Sequence, residues 1–435
     1  MLEEISDIAL PSLDLSACAV PEAAPRQARG AQLAVATLFL VNGSAIGSWV
    51  PHIPERAHAL GLNTAQLGGV LLAGGIGALC AMPLAAPVLR RVGSRRLCLV
   101  TGVLFPALLS LAILLPSVKL LIAVLFLVGL NAAAMDVAMN AHGVMVEALL
   151  KRKTVSLFHA IFSVGCFAGA GLHSFLMARH VPDILLVPGF GAILLLLVLL
   201  TGPLLFPQKI EDAFHALECP PAQALPTKQR HGLRALLPAR LPHPHLLLMG
   251  TLCFATMVSE GAMGDWSALL LRVLHHLPDG PSGYGYTCFA ACMVAGRFSG
   301  DWVVTRLGEI RALRVGGAVS VAGLLLVLLA HPLPLVLAGF ALAGAGLANA
   351  SPVLYRTAAT MPGFAPGEGL STAVGVGYAG LLIGPPLLGL LAHSAGLPSI
   401  FWVLLALSCL LCAAAPLVRR GIRSDAAHRR PIALQ

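Results

Sequence analysis

The sequence predicts an all-α integral membrane protein, with twelve transmembrane helices arranged as two pseudo-symmetric six-helix bundles. Three observations lead there: a composition built for lipid, twelve apolar runs of membrane-crossing length, and an internal repeat relating the two halves. Of 435 residues, 57% are hydrophobic and 11% charged, with a mean hydropathy of +0.87. A soluble domain carries roughly 25% charged residues, because it must clothe itself in polar surface. The net charge of +9 does not mark a nucleic-acid binder, since the basic residues form no stripe or helix face. They fall in short clusters between apolar runs, which is a topology signal.

A hydrocarbon core of about 30 Å needs about 20 apolar residues at about 1.5 Å each. On that scale the first half offers spans at 32–51, 66–88, 97–116, 119–148, 154–178 and 182–206. The second offers 245–272, 283–304, 311–331, 333–358, 369–392 and 397–418. The expected organisation is a cytoplasmic tail over 1–30, bundles over 31–206 and 245–418, a cytoplasmic linker over 207–244 and a second tail over 419–435. The first tail carries Glu3, Glu4 and Asp7 and lacks the basic-then-apolar order of a cleaved signal. The linker is rich in Pro, His, Lys and Arg, with little apolar periodicity.

Orientation follows from the basic clusters. Arg90, Arg91, Arg95 and Arg96 follow the second span, and Lys151, Arg152 and Lys153 follow the fourth. Lys209, Lys228, Arg230, Arg234 and Arg240 follow the sixth, Arg306, Arg311 and Arg314 the eighth, and Arg419, Arg420 and Arg423 the twelfth. The alternate loops hold few, such as Arg56 and Arg272. The positive-inside rule then places both termini in the cytoplasm, as an even number of spans requires.

The repeat is visible in Val41-Asn-Gly-Ser-Ala-Ile-Gly-Ser-Trp49 and Val258-Ser-Glu-Gly-Ala-Met-Gly-Asp-Trp266, which match at Val, Ala, Gly and Trp. The second copy carries Glu260 where the first has Gly43, and Asp265 where the first has Ser48. Ser156, Gly165 and Gly169 match Ser371, Gly380 and Gly384 at a single offset, and Arg91-Val-Gly93 matches Arg306-Leu-Gly308. Halves repeated in the same membrane sense are a known transporter plan, related by an axis along the membrane normal with a solute site between them near the midplane.

On these residues the chain resembles the major facilitator superfamily along essentially its whole length. The loop after the second span in that family reads Gly-x-x-x-Asp-Arg-x-Gly-Arg-Arg. Here it is Ala86-Pro-Val-Leu-Arg-Arg91-Val-Gly93-Ser-Arg95-Arg96, with the Gly, the Asp and one Arg replaced. Gly296-Arg-Phe-Ser-Gly-Asp301 with Arg306-x-Gly308 is the second-half version, with Thr305 where the acid falls. Asp136-Val-Ala-Met-Asn140 with Glu147, Phe158-His-Ala-Ile-Phe-Ser163 and Glu260-Gly-Ala-x-x-Asp-Trp266 resemble the YbjJ-like inner-membrane branch, which is similar, more distantly, to fucose–proton symporters. The resemblance implies alternating-access transport of a small organic solute across the inner membrane, coupled to protons and without a cofactor.

Ionisable groups in apolar spans are costly, so each needs a reason. In the fourth span Gly129, Asp136, Asn140, Gly143 and Glu147 fall within about 60° of one another, while Asn131 and His142 lie opposite. A carboxylate withdrawn from water can hold a proton near neutral pH, which makes Asp136 a proton-coupling candidate; its alternative is a structural hydrogen bond to Asn140. In the seventh span Glu260 falls near the membrane centre. Asp265 lies a turn nearer the periplasm and points about 140° away in an ideal helix. Gly261 and Gly264 between them could break that helix. Glu260 is the expected second coupling carboxylate and Asp265 its competitor, with a cap or gate contact as the bland reading of Asp265.

Glu147 is expected to form a gate ion pair with Arg91 or Arg95. Arg297 and Asp301, at i, i+4, are expected to neutralise each other in a latch with Arg306; Arg297 binding an anionic solute is the alternative. His159 shares a face with Ser156 and Ser163 and is either a gate residue or a packing histidine. The substrate-lining candidates are Asn42, Ser44, Asn131, Asn140, Ser163, Trp266, Asn349 and Tyr378, with Ser48, Trp49, Ser351 and Tyr355 beside them. Any of these could equally be an interhelical hydrogen bond, worth about 0.6 kcal/mol on average.

Gly375-Val-Gly-Tyr-Ala-Gly380 matches a dinucleotide fingerprint, but it lies in a lipid-length helix with no preceding strand and reads as close helix packing. Cys409-x-x-Cys412 and His243-Pro-His245 lack the further ligands a metal needs. The reading is therefore a monomeric carrier whose partners are a polar, sugar-like solute, the coupling proton and the bilayer. Export of amphipathic compounds is the runner-up. A polytopic enzyme using Asp136, His159 and Glu260 as acid–base groups, or a non-transporting receptor, are the readings from other classes.

Overall fold

The computed structural model describes residues 24–152, 154–218, 244–359 and 368–428. The N-terminal residues to 23, Lys153, most of the linker including Lys228, Arg230, Arg234, Arg240 and His243, and the last seven residues lie outside the described residues. Among the described residues there is no strand, only helices and short connections.

The first half comprises α1 (Ala24–Trp49), α2 (Ile53–Ala59), α3 (Thr64–Val92), α4 (Ser94–Leu114), α5 (Val118–Leu150), α6 (Val155–Ala178) and α7 (Asp183–Thr201). After α8 (Gln208–Glu218), the second half comprises α9 (Pro244–Leu274), α10 (Tyr284–Phe298), α11 (Gly300–Leu307), α12 (Glu309–Leu329), α13 (Leu333–Leu347), α14 (Ala350–Ala359), α15 (Glu368–Ala395) and α16 (Pro398–His428). Eleven described helices are long and apolar enough to cross a membrane. The expected eighth span, 283–304, is occupied by α10 and α11, interrupted at Ser299 and carrying Arg297 and Asp301, and is not among those eleven. Large apolar side chains such as Ile184, Leu185, Leu196 and Leu200 of α7 stand exposed on the outside. Lipid is the solvent that suits such a surface.

The ends of these helices follow from local chemistry. Asn63 and Gln66 close a reciprocal capping box at the start of α3 (2.9 and 3.0 Å). Gly93 and Gly308 end α3 and α11 with φ of 83° and 76°, a backbone region that favours glycine. They occupy matching places in the sequence repeat, so both halves make the same turn.

Within the first half α1 packs on α6 through glycines. A Cβ at Gly43 or Gly47 would collide with the backbone carbonyls of Phe162 and Cys166, and one at Gly165 or Gly169 with those of Leu40 and Ser44. With no hydrophobic drive between helices in lipid, such close backbone approach supplies the packing energy. In the second half Gly377 and Gly380 of α15 lie against Cys253, Phe254 and Val258 of α9, so the dinucleotide-like run is a packing surface. Cys412 likewise packs on Gly317 of α12.

Three boundaries differ from expectation. Helix α1 begins at Ala24, inside the expected tail, and α16 continues to His428, past the expected bundle end at 418. The linker is not structureless at its start: α8 buries Ile210 and Phe214. Its Glu211 accepts the Ser94 backbone N–H at 2.7 Å, filling an orphan donor at the start of α4. The apolar pair was masked in the sequence by the charges around it.

The two halves meet where α3 packs on α15 and α6 on α10. One face of the bundle carries the start of α1 and the end of α16; the opposite one is called the distal face below.

Candidate functional site

Helix α9 runs unbroken through Gly261 and Gly264, so Glu260 and Asp265 point to different places. Glu260 points to α10 and α14 of its own half. Its Oε1 accepts a hydrogen bond from Ser351 Oγ of α14 at 3.1 Å, and its Oε2 lies 3.2 Å from Arg297 Nη2 of α10. Arg297 Nη1 donates to Ser163 Oγ of α6 at 2.6 Å, which crosses from the second half to the first. A guanidinium in a low-dielectric site needs such a set of planar partners. The carboxylate and guanidinium side chains are only 21% and 19% exposed. The expected Arg297–Asp301 pair does not form. Arg297 turns inward, while Asp301 lies 3.8 Å from Arg356 on an exposed surface.

Across from this network stands Asp136 of α5. Asn140 donates to its Oδ1 at 3.0 Å and to its backbone carbonyl at 2.8 Å. Tyr378 of α15, on the opposite half, lies within electrostatic range of Asp136. Among the described residues no cation pairs with Asp136. His159 is within electrostatic range of Arg297 and sets its ring edge-on to Phe39, centroids 5.2 Å apart. His159 and Tyr378 are nonetheless exposed, as are Ser156 and Gly375 nearer the face that carries the termini. The space between the halves is therefore open on that side.

The distal side is shut. A Cβ at Gly283, in the short turn Pro281–Gly283 before α10, would collide with Ser174 and Pro51 of the first half. One at Gly280 would meet Ser174, Met177 and Ala178. Gly68 of α3 and Gly389 of α15 are in backbone contact, with Trp266 packed on Gly389. Chemically, the arrangement is a one-sided cleft with a charge pair, hydroxyls and a lone carboxylate at mid-depth.

Several sequence-based assignments are corrected by this geometry. Asp265 does not face the cleft: it lies between α9 and α15 in a small cavity lined by Gly261, Gly380, Gly384 and Pro385. Trp266 is fully buried at the distal closure, not on the open cleft wall. Asn131 donates to the Thr101 carbonyl of α4 at 3.0 Å, a bond within the first half. Asn349 sits between α13 and α14 with its amide oxygen over Gly300, at the α10–α11 break. Asn42 and Ser44 are buried on α1, and the Ser44 backbone lies against Gly165 and Gly169.

The expected gate pair of Glu147 with Arg91 or Arg95 is also absent. Glu147 Oε2 accepts the backbone N–H groups of Thr154 (2.6 Å) and Val155 (3.0 Å), so it caps the start of α6. Arg91 is exposed, Arg95 lies within electrostatic range of His142, and Arg306 stacks over Trp302 at 5.6 Å. One cluster escaped the sequence altogether: His52, Glu55, His173 and Asp183, gathered at the distal face from four helical segments. Apart from His52 and Glu55 at i, i+3, no spacing rule links these residues.

Comparisons with known proteins agree with this architecture. The family model described as Major Facilitator Superfamily matches residues 33–325 and 248–433. The chain is 32% identical to membrane protein MosC of Rhizobium meliloti over 366 residues, covering 84% of each. It is 30% identical to an uncharacterised transporter of Sinorhizobium fredii, covering 89% of this chain and 97% of the relative. Among solved structures it is similar in fold to the nucleoside transporter NupG, with a TM-score of 0.70 at 14% identity, covering 89% of this chain and 99% of that one. A D-xylose–proton symporter gives 0.66 at 14% identity, covering 90% and 97%. The match to the family model over most of the chain, the relatives and the two-bundle architecture lead to one conclusion: this multi-pass membrane protein belongs to the major facilitator superfamily, a family of transporters and not of enzymes.

Proposed function

We propose that this chain is a proton-coupled carrier that moves a small polyhydroxylated solute across the inner membrane by alternating access, within the YbjJ-like branch of its family. The observation that carries the reading is the mid-depth network of Glu260, Arg297, Ser351 and Ser163, which joins the halves, with Asp136 across the cleft and, among the described residues, no cation paired with it. A carboxylate already paired to a guanidinium is poorly disposed to take up a proton, whereas one held only by an amide can do so. Asp136 is therefore the proton carrier. Glu260 and Arg297 present the acceptors and donors that a sugar-like solute would exchange for the contacts they make with each other. The fold neighbours whose names include a nucleoside and D-xylose handle solutes of that polarity, which favours the class. The basic loops orient both termini to the cytoplasm, so the open cleft is the inward-facing state, and the chain works as a monomer.

The test is flux in proteoliposomes. Candidate pentoses, hexoses and nucleosides are first ranked by thermal stabilisation of the purified protein, and the best is then labelled. An imposed pH gradient should drive its accumulation. Asp136→Asn should abolish that accumulation while leaving solute exchange at equal concentrations intact. Accumulation by Asp136→Asn at the wild-type rate would remove Asp136 from coupling. Solute moving against the proton flow would make the carrier an exporter.

A further inference from the structure

At the distal face four side chains of the first half converge outside the proposed transport site. His52, in the short turn Val50–His52 between α1 and α2, is fully buried, and His173 of α6 is nearly so. The two imidazoles touch, with His52 Nε2 2.9 Å from His173 Nδ1. His52 Nδ1 points the other way, 3.5 Å from Asp183 Oδ2 at the start of α7 and 3.7 Å from Glu55 Oε2 of α2. The outer oxygen of Glu55 is held by Arg56 at 3.1 Å. Phe190 sits edge-on to His173 with centroids 4.7 Å apart, which fixes the ring.

His52 Nδ1 is buried and makes no hydrogen bond. That is costly for a polar atom sealed from water, and its surroundings sharpen the problem. In the tautomer that donates its Nε2 proton to His173, Nδ1 presents a lone pair to the two carboxylates, and three acceptors then face one another. Their separations exceed a charge-assisted hydrogen bond, about 2.7–2.9 Å. The two nitrogen–oxygen separations are close to what ligands adopt around a shared ion, and the three donor atoms all lie within 4.8 Å of one another. A tetrahedral centre with bonds of about 2.0–2.2 Å sets its ligand atoms about 3.3–3.6 Å apart.

We infer that His52 Nδ1, Glu55 and Asp183 form a binding site for a divalent transition cation of the zinc class, with His173 as the residue that orients the His52 ring. One nitrogen and two carboxylate oxygens are a donor set such ions take, and a histidine ligand whose other nitrogen is hydrogen-bonded is the usual supporting arrangement. The carboxylates are 28% and 22% exposed, so the ion has access from the distal face and a fourth position for water. Sequence reading expected no metal site, because the ligands come from α2, the preceding turn and α7 with no motif spacing. The site stands behind the distal closure. Pro51, next to His52, is, with Ser174, one of the two first-half residues that a Cβ on Gly283 of the other half would strike. A bound ion ties the turn to α7 and stiffens the first-half side of that closure.

The full chain in detergent, freed of any affinity tag, is equilibrated with micromolar Zn2+, passed through gel filtration and assayed for metal per chain, alongside thermal unfolding with and without Zn2+. One zinc per chain and a rise in melting temperature are expected. Asp183→Asn and Glu55→Gln, both near-isosteric and partly exposed, should each weaken binding at least about tenfold, the scale reached even by loss of supporting residues. They should elute as the wild type does, which separates lost ligation from lost folding. Co2+ substitution should show d–d bands without a thiolate charge-transfer band, which excludes the ten cysteines as the ligands. Absence of zinc from the intact chain, or undiminished binding in either variant, would overturn the assignment. None of these readouts depends on transport, so the proposed function stands or falls separately.

Discussion

Replacing Ser163 by alanine tests whether the bond between the halves belongs to one conformation. Ser163 Oγ accepts from Arg297 Nη1 at 2.6 Å, and Ser163 is buried. Hydrogen bonds to charged groups contribute about 1.5–3 kcal/mol, and an orphaned buried donor costs a comparable amount. The Arg297–Glu260 contact at 3.2 Å lies within the second half and survives the substitution. If the bond to Ser163 exists only in the state closed at the distal face, its loss should shift the balance toward the distal-open state by roughly 10- to 150-fold. Spin labels at His58 and His276, both exposed on the distal face, report this as an inter-label distance distribution, in a chain whose native cysteines have been replaced. The wild-type background should give a short distance; Ser163→Ala should add or enlarge a longer component. Coincident distributions would falsify the idea that this bond discriminates between conformations.

Other expectations follow from single contacts. Gly68→Leu places a side chain against the Pro385 carbonyl and the Gly389 backbone; overpacking of about 1–3 kcal/mol should push the halves apart distally, read as a longer distance between the same labels. Glu147→Gln removes the charge that caps α6 through two backbone N–H groups. A loss of about 1 kcal/mol should lower the melting temperature while flux remains coupled to the pH gradient; loss of coupling with unchanged stability would restore Glu147 to a gating role. Phe214→Asp should detach α8 from the first half, since Phe214 is buried there, and protease cleavage after the basic residues near α8 should accelerate. Unchanged cleavage would show that Glu211 alone holds the helix.

The geometry divides what was readable in advance from what was not. Span positions were legible because lipid imposes a length and a polarity on every crossing segment, and these are local properties of consecutive residues. The eighth span shows the limit: its apolar run was found, but not the break at Ser299, beside which Gly300 lies against the Asn349 amide from the α13–α14 connection. Asp136 and Asn140 were placed on one face correctly because four residues make about one turn. Partnership with residues on other helices was not available from spacing. Arg297 looked pairable with Asp301 in its own span, yet it reaches Glu260 and Ser163. Asn131 looked like a lining residue, yet it bonds within the first half.

The amino-acid sequence by itself determined the membrane class, the two-fold repeat and the stock of buried charges, since transfer of each residue into lipid is priced locally. Only the tertiary structure decided which buried charges face one another, which side of the cleft is closed, and that His52, Glu55 and Asp183 share one point in space. The physical reason is desolvation: a buried ionisable group must find a partner, and helix packing, not chain order, sets which partners are within reach.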